Sequence, residues 1–557
     1  MNASQGISRR TLLQLGGIMG LGALGATALS GCGQPNAANA STSGSAGASG
    51  IDAASASVQS GPFAVPECML EPEPITEFDE TKEYDVVVVG AGLAGLAAVH
   101  TALEGGAHVA CVQNTDVITT SGNMGGAIDL EKTSPAGVQA CISYLMEKSD
   151  YRSDRKLINV WAQNSSEAIA WWADAAEQGG VENVPFESTL TLHGYDVHLR
   201  ANTYFHIQGA NNTAATAIAE GLAADGAEFF YGTPAVQLYK EGDAVTGVIC
   251  RSNADDKVIL FKAAKGVILA AGDYSGNIEM REYLCPDLKG FGASMPNRDG
   301  SALMMGVWAG AVIEPPSHAK MVHEGAKARV DVPFLNISPA GERFMCEGPM
   351  RTAYINNFQR QFLAEAGYEN MNAGHFFTIL PEKWHDYAVE WIAEDPLNMS
   401  ITGGAGEITN DDLLSGNSVE ELVDAINAFC AEHDYNTEPL DASVVQATID
   451  RYNELCAAGS DDDFGKESKY LVPIEGNTLF AVSRGGTTVP AILGGLIIDE
   501  NGQCLDEAGA PIAGLFAAGN TSGPFFGGVD YPLDMLGLSV GRAITTGYVT
   551  GRYVASL

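Results

Sequence analysis

The sequence predicts an α/β fold, and three observations carry the prediction. Tyr84 to Gln113 reads YDVVVVGAGLAGLAAVHTALEGGAHVACVQ, an apolar strand, a glycine turn, a helix and a second strand. Two later apolar runs end in Ala-Gly, KGVILAAGD at Lys265 to Asp273 and GLFAAGN at Gly514 to Asn520. Gly is high at 65 residues and charged residues make up only 18%, which suits a glycine-rich nucleotide-binding fold better than disorder. At 557 residues the chain is long enough for two domains and a sizeable core.

The N-terminus reads as an address. SRRTLLQ (Ser8 to Gln14) sets twin arginines before a weakly apolar, Gly-rich run from Leu12 to Leu29, and LSGC closes it at Cys32. Residues 1–31 read as a twin-arginine export signal ending in a lipoprotein cleavage box. Small residues crowd the end of the run, which makes it a poor membrane span. A lipid on Cys32 would tie the chain to a membrane, with residues 32–82 as a flexible linker. The expected location is the cell surface or a periplasm. Twin-arginine export carries folded proteins, so a tightly held cofactor can be inserted before crossing.

Asp plus Glu outnumber Lys plus Arg 69 to 30, a formal net charge of -39, which disfavours a nucleic-acid partner. Solubility outside the cytoplasm is the first reading of that acidity, and steering of a basic redox partner the second. The ten cysteines include no CxxC or CxxCH. That argues against c-type haem, a zinc ribbon and a regular iron–sulfur set, and no metal site is read. A disulfide stays open.

In Tyr84 to Gln113, four valines form a buried strand and Gly90, Gly92 and Gly95 turn it into a helix closed by Gly105 and Gly106. Glycines there permit a tight turn and close backbone approach, so helix N-terminal amides can meet a pyrophosphate. GxGxxG alone is weak; strand–turn–helix–strand context makes it a Rossmann-like dinucleotide signature. Gln113 stands where an acidic residue is expected. An amide can still hydrogen-bond a ribose hydroxyl, less strongly than a carboxylate. Gly272 and Gly519, in the Ala-Gly strand ends, let backbone pass close to a cofactor. GLSVGRAITTGYVTGRY starts a small-residue helix at Leu538 and Ser539, whose N-terminus would stabilise an anionic reduced ring. In this order and at these separations, the segments specify FAD.

With those motifs the sequence resembles the flavoprotein family of fumarate reductases, succinate dehydrogenase flavoprotein subunits, urocanate reductases and ketosteroid dehydrogenases. The resemblance runs from about Tyr84 to the C-terminus. It implies a Rossmann-like FAD-binding domain in two sequence segments, 83–313 and 481–557, with an inserted α+β cap (substrate) domain at 314–480. It adds FAD contacts at Ala94, in the loop Ser121-Gly-Asn123-Met-Gly125-Gly126, at Ala235 in GTPAVQL and at Asp299 in NRDGS. The loop is one residue shorter than the usual family form, and Asn520 stands where the family commonly has Glu. In the cap, Ser418-Val-Glu-Glu421 has capping-box spacing, and Ala447 to Lys466 resembles the family's cap helix and following turn.

FLNISPAGERFMCEGPMR (Phe334 to Arg351) resembles the family segment that runs from an Asn, through Gly-x-Arg-Phe, to an arginine seven residues after the Phe. Arg343 fits the structural arginine, paired with a carboxylate such as Glu347. Arg351 falls on the arginine that donates a proton to substrate in fumarate reductases. An arginine is an odd acid, but as a delocalised cation it can stabilise carbanion-like charge. For the relay that reprotonates it the candidates are Glu324 and Arg329, five apart where the family pair is three apart.

The dicarboxylate set is largely replaced. Ala491 stands at one family histidine and Met535 at the clamp arginine, and Arg542 lies further along and does not fill that position. His318 in EPPSHAK is the candidate for a third substrate histidine, or a satisfied polar residue at a domain edge. Losing an Arg and a His from one clamp weakens binding of a second carboxylate, so fumarate itself is disfavoured. Tyr531-Pro532 resembles ketosteroid dehydrogenases, where a tyrosine in that place hydrogen-bonds the substrate ketone. Tyr531 is the candidate for a carbonyl or phenol; Tyr204 and His206 are weaker candidates, read as structural.

The expected function is that of an exported FAD-dependent oxidoreductase acting on CH–CH bonds. It would reduce an activated double bond, an unsaturated carboxylate or enone, as an electron acceptor in anaerobic respiration, with the proton coming via Arg351. The alternative is a ketosteroid-type dehydrogenase working oxidatively; a lipoprotein that binds flavin without turnover is the third reading. No CxxCH, flavinylation motif or NAD(P)H module is evident, so a separate redox protein is the expected electron donor.

Overall fold

Alternating burial along one strand organises the first layer. The computed structural model describes residues 65–557 except 121, 205–206, 208, 210, 294, 296, 324–327, 349–359, 368–373, 396–398, 404–407, 437, 486–487, 530 and 533–534. Of 293, 322–323, 328–329, 400, 402–403 and 488 it describes the backbone alone. β1 (Glu80–Val89) turns Val86 and Val88 into one apolar cluster and Val87 and Val89 into another. Such a strand is covered on both faces, as parallel sheets require.

α1 (Leu93–Glu104) crosses to β2 (Val109–Val112), parallel to β1. The chain then leaves the sheet for β3 (Met124–Ile128), α2 (Pro135–Lys148) and α3 (Arg155–Gln178). The hairpin β4 (Val184–Leu192) and β5 (Tyr195–Thr203) adds to β3 as a three-stranded layer. α4 (Asn211–Ala224) returns to β6 (Glu228–Phe230) beside β2. The hairpin β7 (Ala235–Glu241) and β8 (Ala244–Arg251) leads into β9 (Val258–Leu269), parallel to β1 on its other edge. α5 (Ile278–Leu284), β10 (Gly292–Ala293) and α6 (Ser301–Trp308) follow.

A second unit begins after β11 (Lys320–His323). β12 (Ala328–Asp331) precedes β13 (Leu335–Ile337), β14 (Phe376–Leu380), α7 (Trp384–Glu394), β15 (Ser400–Gly403), β16 (Leu414–Gly416), α8 (Val419–His433), α9 (Ala442–Ala458) and β17 (Leu479–Arg484). β13, β14, β17 and β16 form an antiparallel sheet. Its period of two is explicit: Phe377, Ile379 and Ala481 face α8 and α9, while Leu380, Phe480 and Val482 face α7. Ser418 caps α8 by accepting from Glu421 N–H at 3.1 Å, and Glu421 reaches back to Asn417 N–H at 2.9 Å.

β18 (Thr488–Ile492) pairs with β10 and β11, and β19 (Leu496–Ile497) precedes β20 (Gln503–Leu505) and β21 (Pro511–Ala517). β21 enters the central sheet beside β9, giving the order β20-β21-β9-β1-β2-β6. Two distant stretches of chain therefore build one sheet. β22 (Ser522–Gly523) and α10 (Leu538–Ser556) complete the chain, with α10 lying along α1. Residues 65–79, expected in the linker, lie against the domain ahead of β1. Among the described residues no disulfide joins the nine cysteines, and no helix is long and apolar enough to cross a membrane.

Candidate active site

Where β1, β2, β9 and β21 end, the chain opens a cleft of about 360 Å³. Parallel sheets hold ligands at this end, because helix N-termini and short loops converge there. Gly90, Gly92, Ala94, Gln113 and Ala235 line it, and so do Gly272, Asp299, Gly519 and Asn520. α1 starts at Gly92 with no side chain capping its amides, and the space beside Gly92 is open. An uncapped helix N-terminus facing a cleft is a phosphate seat. Gly90 has φ +102°, and a Cβ there would stand 2.7 Å from Ala271 Cα. Gly95 serves packing: its Cβ would meet Gly90 O at 1.8 Å. Cleft, glycine walls and free amides fit a dinucleotide such as FAD.

Gln113 ends β2, with much of its amide engaged. Oε1 accepts from Ala91 N–H at 3.0 Å, and Nε2 donates to Thr115 Oγ1 at 2.8 Å. For a ribose hydroxyl it keeps the second lone pair of Oε1.

Asp273 is a node that the sequence did not flag. Buried at 1% exposure, its Oδ2 accepts from Asn520 Nδ2 at 3.0 Å and Arg298 Nη1 at 3.3 Å, and Oδ1 accepts from Ser275 N–H. Asn520 Oδ1 in turn faces Arg542 Nη1 at 3.4 Å. A glutamate at 520 would set a second carboxylate against Asp273, whereas the amide donates to it.

The other described FAD candidates are not among the residues that line the cleft. Gly125 and Gly126 are in β3, and Gly126 N–H donates to Gly537 O at 2.9 Å, joining that loop to the start of α10 at Leu538 and Ser539. α10 also begins uncapped and reaches the cleft at Ala543. Asn123 gives its carbonyl to Tyr204 N–H at 3.0 Å, and Tyr204 is buried. Ser121, His206 and Cys32 lie outside the described residues.

A buried polar cluster gathers around Glu314 and His318. Glu314 accepts Gly495 N–H at 2.9 Å, and burial pushes its carboxyl up to about 8. His318 is fully buried. Its Nδ1 lies 2.5 Å from Tyr274 Oη and its Nε2 lies 3.0 Å from the Glu314 carbonyl. A carbonyl only accepts, so Nε2 carries the hydrogen and Nδ1 accepts from Tyr274. Burial lowers the imidazole to about 4, so the ring is neutral. Neither nitrogen is left for a substrate, which corrects the expectation that His318 touches one. Gly494 packs on this ring, where a Cβ would meet His318 Cγ at 2.4 Å.

Arg542 is fully buried and lowered to about 10 by that burial. It donates to the carbonyls of Gly519, at 2.6 Å, and Ser522, under the rings of Phe525 and Phe526. Held this way it braces the loop and does not replace a carboxylate clamp. Ala491 and Met535 are buried and apolar. Tyr531, half-buried, stands edge-on to Phe526 at 6.3 Å.

In the second unit, Arg343 forks two carboxylates. Nη2 lies 2.7 Å from Glu347 and 2.7 Å from Asp461. Burial would raise Asp461, but Arg343 and the Lys466 and Phe464 amides outweigh it and hold the carboxyl at about 2. Lys466, buried, donates to Tyr452 Oη at 2.6 Å and is lowered to about 8. This cluster anchors residues 343–347. Arg351 and Glu324 lie outside the described residues, and Arg329 is described by its backbone, paired with Thr402.

Comparison with known proteins adds four findings. The family model described as FAD binding domain matches residues 85–531. A vinyl phenol reductase of Lactiplantibacillus plantarum is 27% identical over 516 residues, covering 85% of this chain and 96% of its own length. A urocanate reductase of Eggerthella lenta is 25% identical over 457 residues, covering 80% and 70%. Among solved structures, the open conformation of a flavocytochrome c3 fumarate reductase shares the fold, with TM-score 0.60 and 21% identity over 86% of this chain and 79% of that one.

Proposed function

Because the chain belongs to the FAD binding domain family and is an FAD-dependent oxidoreductase acting on carbon–carbon double bonds, we propose that it reduces an alkene activated by an aryl group, one carboxylate or a ketone. One observation carries the reading. Where the family clamps a second carboxylate, this chain has Ala491 and Met535, both buried and apolar. A dianion would leave a charge against hydrocarbon there, which is costly without a partner. In the same C-terminal segment, Phe525, Phe526 and Tyr531 pack ring against ring. The 27% identical vinyl phenol reductase supports an aryl alkene within this class.

When bound, FAD supplies a hydride to the carbon beta to the activating group. Gly90, Gly92 and the first amides of α1 would seat its pyrophosphate, and Ala235, Asp299, Gly272 and Gly519 would flank it. Arg351 delivers the proton to the alpha carbon, and its charge offsets the negative charge building there. Glu324 and Arg329 return a proton to Arg351. The Arg343, Glu347 and Asp461 cluster fixes residues 343–347, which precede Arg351 in the chain. Export, a lipid on Cys32 and a separate redox protein as electron donor complete the proposal. The reverse reaction on a cyclic ketone is the second reading, favoured by Tyr531-Pro532.

The experiment is anaerobic oxidation of reduced viologen by FAD-loaded enzyme with fumarate, urocanate, aryl acrylates, vinyl phenols and enone steroids. Turnover of an aryl alkene, acrylate or enone is expected, with Arg351→Ala slower by about a thousandfold and still flavin-loaded. Fast fumarate turnover, or a saturated ketosteroid bleaching the oxidised flavin while no alkene is reduced, overturns it.

A further inference from the structure

Residues 65–79 are tied to the back of one cleft wall at three points. The turn at Glu67–Met69 buries the Met69 side chain and sets the Met69 carbonyl 3.1 Å from Trp308 Nε1. Trp308 borders the cofactor cleft. Beside it, Cys68 Sγ lies 3.5 Å from Asn277 Nδ2, which also donates to the Asp299 carbonyl at 3.1 Å. Asp299 borders the cleft as well. Further on, Gln237 accepts Ile75 N–H at 2.9 Å and donates to the Glu73 carbonyl at 2.6 Å. Gln237 follows Ala235 and Val236, the two cleft-lining residues of β7.

The segment is also anchored at its far end. Phe78 stands edge-on to Tyr239 at 5.8 Å, and Asp79 exchanges two hydrogen bonds with the Val258 backbone, both 2.8 Å. Pro72 and Pro74 lie between the anchors and restrict the backbone there. The first three anchors reach the cleft wall, at Trp308 itself, at Asp299 through Asn277, and at Gln237, which directly follows Val236. We infer that residues 65–79 form a strap that slows FAD release by bracing the wall made of Ala235, Val236, Asp299 and Trp308. For the wall to part, the strap must first let go. In a chain exported folded, as proposed above, such bracing would keep the cofactor loaded on the far side of the membrane.

The inference rests on FAD occupying the cleft, and flavin co-purifying with wild type checks that separately. The test uses full-length holoenzyme with Gln237→Ala, which removes two strap bonds from a residue outside the cleft lining, and Trp308→Phe, which keeps an aromatic wall and removes the bond to Met69. FAD release is followed as the return of free-flavin fluorescence after dilution, and limited proteolysis at 65–79 reports whether the strap is loose. Release about tenfold faster in both, with faster cleavage of the strap, is the expected result. Unchanged release in the folded variants overturns the inference. So does faster release with the strap still protected, which assigns the effect to the wall itself.

Discussion

Tyr274 Oη and His318 Nδ1 lie 2.5 Å apart in the protein interior, joining residues 44 positions apart in the chain. The contact, with the Glu314 carbonyl on the other nitrogen, fixes one tautomer of a neutral ring. A histidine satisfied on both sides orders its surroundings, here Gly494, Gly495 and the strand end before them.

His318→Ala therefore leaves the Glu314 carbonyl unpartnered, leaves the Tyr274 hydroxyl with Cys285 Sγ alone at 3.4 Å, and opens a cavity. We expect a loss of about 3 kcal/mol in denaturant unfolding. A loss within experimental error sinks the positioning role.

Glu314 and His318 set opposite pH slopes. Glu314 holds its proton to about pH 8 when folded, against 4.5 ordinarily, so between these values the unfolded chain binds fewer protons and stability falls as pH rises. His318 titrates near 4 when folded, against 6.5, so its contribution falls as pH drops through that window. Above 6.5 only Glu314 of the two still changes. Denaturation midpoints should decline from pH 6.5 to 8, on the order of 1 kcal/mol per unit, and Glu314→Gln, which can still accept from Gly495, should flatten the decline. A wild-type profile already flat there contradicts the assignment.

Gly547 meets α1 so closely that a Cβ would stand 1.9 Å from Ala94 O. Gly547→Ala must push α10 from α1, costing about 2 kcal/mol or more. Because Ala94 and Ala543 both line the cleft, bound flavin should drop together with thermal stability. Full flavin occupancy at an unchanged melting temperature argues against that coupling.

Tyr531→Phe keeps the ring against Phe526 and removes only the hydroxyl. If the hydroxyl meets a substrate carbonyl or phenol, KM for such substrates should rise about five- to tenfold, the worth of one hydrogen bond. Carboxylate-only substrates should be unaffected. Equal effects on both classes reduce Tyr531 to packing.

Much of the scaffold was legible because its signals are local. Four valines, a glycine turn and a small-residue helix sit within one short stretch, and that stretch alone dictates strand, phosphate-binding turn and crossover. The Arg343–Glu347 pair was legible for the same reason, as four residues of one turn-rich segment. Asp461, 118 positions from Arg343, carried no such mark. Tyr274, Arg298 and Asp273 were missed as well, since each acquires its partners only when separate strand ends converge.

The sequence by itself determined an FAD-type α/β scaffold, because spacing and residue type encode it. Only the tertiary structure decided that His318 is used up internally, that Arg542 serves backbone carbonyls, and that residues 65–79 brace the cleft. Those outcomes depend on which polar groups meet in a low-dielectric interior, where every donor must find an acceptor. No local period records that meeting.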